Sequence, residues 1–213
     1  MSTVQTSLFN HHNPAIIRIW HWLTVLFFFA SISTVLLHST LFETRDNIGM
    51  VQEQVAEKGG TINAEQAKAV AHEFSDKLWM AHKFIGFGIV FLFLWRIVAE
   101  VVVSKESKLS SKIKFALKLP LSNEERKHYL LVKYSYSIFY LLLFLMSVTG
   151  LILAFEEVEL FDKIHRPVKQ FHGFLQYTFY LFIGLHLVGV VKAELTKYAG
   201  IVSGMIHGKG NIS

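Results

Sequence analysis

The sequence predicts an all-α integral membrane protein built as a four-helix bundle, and three observations predict it. Hydrophobic residues fill 52% of the 213 positions and charged residues only 17%, against roughly 25% charged in an average soluble domain. Four long apolar runs divide the chain, and three of them are uncharged for 21 residues or more. About 20 such residues cross the roughly 30 Å of a bilayer's hydrocarbon layer. The basic residues lie between the runs and favour one side of the membrane.

The first uncharged stretch, residues 19–42, covers 24 positions and predicts a span over about 17–41. It is too long for the apolar core of a cleaved signal peptide, and no small-residue cleavage site follows it. An outer loop over about 43–77 comes next. Lys58-Gly59-Gly60 marks a turn there, and Asn63 with Gln66 reads as a capping box, so a short helix leading into the second span is expected over 64–77. The loop could serve as a lid over the outer face or as a docking surface for a partner.

The second span, about 78–102, is the least evident, because its uncharged core 84–95 has 12 residues. Arg96 and Glu100 follow at i and i+4, spaced to pair and to snorkel towards one membrane face. Uncharged stretches at 134–155 and 171–191 predict spans over about 131–155 and 170–194. No repeat or low-complexity segment interrupts the chain, which reads as a single domain over 1–213.

Charge sets the expected orientation. Four spans place the N-terminus, the 104–130 loop and the C-terminal tail together. That side collects 13 of the 21 basic residues, including Arg18, Arg96, Lys105, Lys108, Lys112, Lys114, Lys118, Lys133, Lys192, Lys197 and Lys209. The other side holds eight basic residues against 11 acidic ones and is net negative. Positively charged loops stay on the cytoplasmic side, so both termini are expected in the cytoplasm, with the chain in the inner (plasma) membrane. The net charge of +5 and isoelectric point near 9.3 thus reflect topology, and no nucleic-acid partner is expected.

The absence of cysteine excludes disulfides, thiolate catalysis, cysteine-ligated clusters and covalently attached c-type haem. Eleven histidines point to imidazole ligation instead. His21, His38, His82, His172 and His186 fall in or at the ends of the spans, where an ionisable side chain is costly and marks function. His172 and His186 are 14 residues apart. At about 100° per residue they share nearly one helix face, and at 1.5 Å per residue they lie about 21 Å apart along it. One helix therefore offers an imidazole near each membrane face, as two haems at different depths require.

Depth supplies the partners: His21 with His186 on the inner side, His82 with His172 on the outer side. Two axial imidazoles leave no place for oxygen on the iron and imply electron transfer. His38 competes with His82. It follows His21 by 17 residues and so sits about 100° off that face. His11, His12, His72, His128, His165 and His207 lie in loops or tails and read as solvated. The alternative for the four intramembrane histidines is hydrogen bonding between helices. Arg18, one turn before His21, and Lys83, Arg166 and Lys169 near the outer pair are placed to meet haem propionates. Gly86, Gly88, Gly173 and Gly184 would admit a flat macrocycle to the backbone. The aromatic stretches 20–29 and 171–182 read as packing or lipid-facing surface.

The pieces Arg18-Ile-Trp-His-Trp22, Trp79-Met-Ala-His82-Lys-Phe-Ile-Gly86, Arg96, Phe171-His172 and Gly184-Leu-His186 resemble the bacterial cytochrome b561 family and the related b-type cytochrome subunit of nickel–iron hydrogenases. The resemblance covers about 15–200 but not the 43–77 loop. It implies a four-helix cytochrome with two haem b groups that exchanges electrons with membrane quinone, and it places the same four ligands at His21, His82, His172 and His186. Some relatives carry a further histidine in span three. Tyr134 and Tyr136 stand in that span here, so no third haem is inferred.

Three functions compete on these grounds. The first is an electron-transfer subunit linking quinone to a partner redox protein of the hydrogenase type. The second is a stand-alone superoxide:quinone oxidoreductase, which would call for a basic outer funnel where the outer side is net negative. The third is a non-redox four-span protein whose histidines only bridge helices. An electron-transfer subunit of an oxidoreductase fits the charge pattern better than a stand-alone enzyme. A homodimer is compatible with the sequence.

Overall fold

The computed structural model describes residues 14–102, 123–196 and 200–208, with backbone alone at 101–102, 123–126 and 128–129. Helices take up 88% of the described residues, and no strand occurs among them. Four helices are long and apolar enough to cross a membrane. They are α1 (Ala15–Thr40), α3 (Ala64–Val102), α4 (Asn123–Ala154) and α6 (His165–Glu194); shorter helices are α2 (Thr44–Glu57), α5 (Glu159–Asp162) and α7 (Ile201–His207). Between 11% and 17% of each span's most apolar window is buried inside the protein. Large apolar side chains such as Phe29 (70% exposed) and Phe84 (77%) therefore face outward, as they do when lipid is the solvent.

The described residues fall into two compact units, one within Met1–Trp22 and Leu92–Ser213, the other Leu23–Phe91. In the second unit, Ser39 and Thr40 return their hydroxyls to the Leu36 carbonyl as α1 ends. Asn47 then bonds the carbonyls of Leu41 and Glu43 and fastens the start of α2 to that end. Gly59, at φ +80°, makes the turn out of α2, a backbone angle glycine adopts without strain. The Asn63–Gln66 capping box forms in both directions, at 2.8 and 3.0 Å. Gly88 sits against the ring of Phe27, and even a methyl group there would have to displace that ring.

The helix expected over 64–77 forms and leads into the second span without a break: α3 runs for 39 residues. No glycine or proline interrupts it near Lys77, and the change from charged to apolar residues marks the edge of the lipid layer, not the end of a helix. At 1.5 Å per residue α3 is about 58 Å long, so its polar first turns stand clear of the hydrocarbon, where Glu73 and Lys77 pair at the surface. The loop also holds α2, which the sequence reading did not include.

In the first unit α4 packs on α6. Phe139 meets Phe179 edge-on and leans on Phe182, around the buried Leu143, Leu175 and Phe179. Pro167 lies in the first turn of α6, where its missing N–H is not needed. At the far end of α6 the Glu194 carboxylate accepts from the N–H groups of Gly200 and Val202, at 3.0 and 3.1 Å. A carboxylate there satisfies free amides and complements the positive end of α7.

Candidate functional site

The first unit brings His21, His186, Arg18 and Arg96 into one neighbourhood of helix ends. His21, on the first turns of α1, meets Trp22 edge-on at 5.3 Å and lies within electrostatic range of His186 on α6. The His186 ring is parallel to Phe182, one turn earlier, at 6.4 Å. Arg18 donates from Nη1 to the Ile206 carbonyl at 2.8 Å, and Trp22 from Nε1 to the Met205 carbonyl at 3.0 Å. These two bonds hold the C-terminal end of α7 against the start of α1. Gly208, at φ +86°, closes α7 there, and a Cβ on it would stand 3.0 Å from the Arg18 guanidinium carbon.

Two nitrogens at this end of α1 are buried without a hydrogen-bond partner: Nε of Arg18 and Nδ1 of His21. Three residues apart, they lie on one face of the helix. Buried polar nitrogens without partners are rare and call for an explanation. A cationic donor beside an imidazole suits a group that presents both a metal and a carboxylate. Haem with its propionates is such a group, so the residues fit it. Among the described residues no three or more of His, Asp or Glu gather as a metal site. His21 and His186 stand within electrostatic range of each other, two imidazoles where a bare zinc ion takes three or four protein ligands.

Arg96 and Glu100 pair as expected, at 2.9 Å. The guanidinium is largely covered: only 16% of the side chain is exposed. It lies over the rings of Trp20 and Tyr140 and donates from Nε to the Tyr140 hydroxyl at 3.0 Å. The Trp20 indole in turn donates to the Leu92 carbonyl at 2.8 Å. Stacking on two rings and a charge-assisted bond to an acid both stabilise the cation there. The sequence marked Arg96 but gave no sign of Tyr140, 44 residues away.

His172, on α6, has its Nδ1 2.8 Å from the hydroxyl of Thr149 on α4. In the other unit His82, on α3, has its Nδ1 2.8 Å from the hydroxyl of Thr34 on α1. His38 engages through Nε2 with the Ser75 hydroxyl at 3.0 Å, and its ring tilts over Trp79 at 4.7 Å. Trp79 also meets His82 edge-on at 5.5 Å. Neither threonine was marked in the sequence; a hydroxyl inside an apolar span is the one signal that would have found them.

Of the residues placed near propionates, Arg18 has a second task at α7, Lys83 is half-buried, and Arg166 and Lys169 are exposed. Gly86, Gly173 and Gly184 have open space where a side chain would stand, while the space at Gly88 is taken by Phe27. Gly88 therefore serves helix packing and does not admit a macrocycle. His72 pairs at the surface with Asp76, His165 stands near Glu156, and His207 is exposed on α7. His11, His12, the loop lysines Lys105, Lys108, Lys112, Lys114 and Lys118, and Lys197 and Lys209 lie outside the described residues, as does the His128 side chain.

A family model described as prokaryotic cytochrome b561 matches residues 12–208, nearly the whole chain. No curated protein and no solved structure matches it.

Proposed function

From this chain's membership of the prokaryotic cytochrome b561 family, which makes it a haem b-binding electron-transfer protein of the inner membrane, we propose that it holds two haem b groups in series and links membrane quinone to a partner redox protein. The family sets aside the non-redox reading. When bound, haem b supplies a reversible one-electron change at iron.

This chain's residues do the rest. His21 and His186 give the inner pair of axial nitrogens, and His82 and His172 the outer pair. Arg18 offers its unpartnered Nε to a propionate beside His21, and Lys83, Arg166 and Lys169 offer positive charge at the outer end. The observation that carries the reading is the buried, unpartnered Nε of Arg18 on the same face of α1 as His21, in the same compact unit as His186. The outer pair rests on residue spacing and depth. A net-negative outer loop and a basic inner loop supply charged surfaces for a soluble redox subunit.

A dithionite-reduced minus oxidised spectrum, with haem and protein both quantified, tests this. The expected result is two low-spin b-type haems per chain; one haem removes half of the reading, and a high-spin five-coordinate signal overturns the ligation. Co-purification of a large soluble redox subunit supports the partner. With both termini in the cytoplasm, reporter fusions at Lys58 and Lys112 are expected on opposite sides of the membrane. Reports from the same side would mean that α3 does not cross.

A further inference from the structure

Two hydroxyls inside the spans are arranged alike. Thr149 Oγ1 lies 2.8 Å from the Leu145 carbonyl and 3.1 Å from the Met146 carbonyl of its own helix, and 2.8 Å from His172 Nδ1. A threonine hydroxyl has one proton, and a carbonyl can only accept. That proton is therefore spent on α4, and the oxygen has only lone pairs left for the imidazole. His172 Nδ1 must be the donor, which leaves the lone pair of the ring on Nε2.

Thr34 repeats the device from a different helix. Its Oγ1 donates to the Ser31 carbonyl at 2.6 Å and lies 2.8 Å from His82 Nδ1, and the Ser31 carbonyl also accepts from the His82 ring, which fixes the same N–H form. Both threonines are buried, 6% and 8% exposed, where no water competes. Gly150 adds space on the His172 side: a Cβ there would stand 3.3 Å from His172 Cε1, closer than side chains ordinarily pack. His21 differs, with a buried Nδ1 that has no partner.

We infer that Thr34 and Thr149 are positioning residues for the outer pair of axial ligands, holding His82 and His172 in the Nδ1–H form with the ring plane fixed and Nε2 turned into the stronger donor. The inference rests on the ligand assignment proposed above. A hydrogen bond from Nδ1–H raises the basicity of Nε2. A more basic axial ligand favours ferric over ferrous iron, so these hydroxyls lower the potential of the outer haem and leave the inner one untouched.

The test is a redox titration of the purified cytochrome followed in the α-band, with Thr149→Val, Thr34→Val and Thr149→Ser. Valine keeps the shape and removes the hydroxyl; serine keeps the hydroxyl. Each valine variant should raise the midpoint potential of one and the same haem, the one missing in His172→Ala, and weaken its retention by roughly 10- to 100-fold. Thr149→Ser should restore both values. If Thr149→Val does not accumulate, Thr34→Val carries the same measurement from the opposite ligand. Unchanged potentials in both valine variants, an equal shift in Thr149→Ser, or a shift in the haem missing in His186→Ala overturns the inference. Those results, in a wild-type protein that still holds two low-spin haems, leave the proposed function standing. A wild-type protein with fewer haems refutes that function itself.

Discussion

Replacing His186 with alanine is expected to halve the haem-to-protein ratio and to stop electron passage across the membrane, while His172→Ala does the same through the other haem. The two ligands share α6 but lie about 21 Å apart along its axis. The helix is held between them by contacts that neither imidazole makes: Phe139 on Phe179 and Phe182, with Leu175 buried beside them. Loss of one imidazole therefore leaves the fold of the other site in place. The loss of function is nonetheless complete in both variants. In the proposed arrangement the two haems act in series, so losing either one leaves a gap wider than the spacing between them and too wide for fast tunnelling. Haem content with optical spectra of the membranes, and quinol-driven reduction of an acceptor on the opposite side, check the two halves of this expectation. Loss of both haems in every single variant would show instead that α4 and α6 cannot pack without them.

The parts of this fold that can be read from the sequence are those that depend on near neighbours in the chain. Spans follow from uncharged length, the Asn63–Gln66 box from a spacing of three, and the Arg96–Glu100 pair from a spacing of four. The phase relation of His172 and His186 is equally local. The unread parts depend on distant residues or on an absence of signals. Nothing in the chain near Thr149 points to a histidine 23 residues on, nor near Thr34 to one 48 residues on. Arg18 was marked as a propionate partner from its place one turn before His21. Its bond to the Ile206 carbonyl, 188 residues away, depends on α7, a helix of seven residues too short for periodicity to show. The helix over 64–77 was legible from its capping box as leading into the span, while hydropathy alone reports only where lipid begins, and a helix has no need to stop there.

His38→Ala is expected to keep both haems, and His82→Ala to lose one. Both imidazoles lie beside Trp79, so proximity does not separate them; the atoms they have engaged do. His38 uses Nε2, the nitrogen that usually binds haem iron, on the hydroxyl of the buried Ser75. That contact ties the C-terminal end of α1 to α3. Its loss leaves a buried hydroxyl to find another acceptor, a cost of about 1–3 kcal/mol, seen as a lower temperature of haem release in detergent. His82 uses Nδ1 on Thr34, which leaves Nε2 for a ligand. His82→Ala thus removes an axial donor, and half the haem goes with it at unchanged temperature for the remainder. The measurement is haem per chain for both variants, with thermal release followed in the Soret band. The reverse pattern, one haem lost in His38→Ala and both kept in His82→Ala, would move the outer ligand from α3 to α1 and separate Thr34 from any role at the iron.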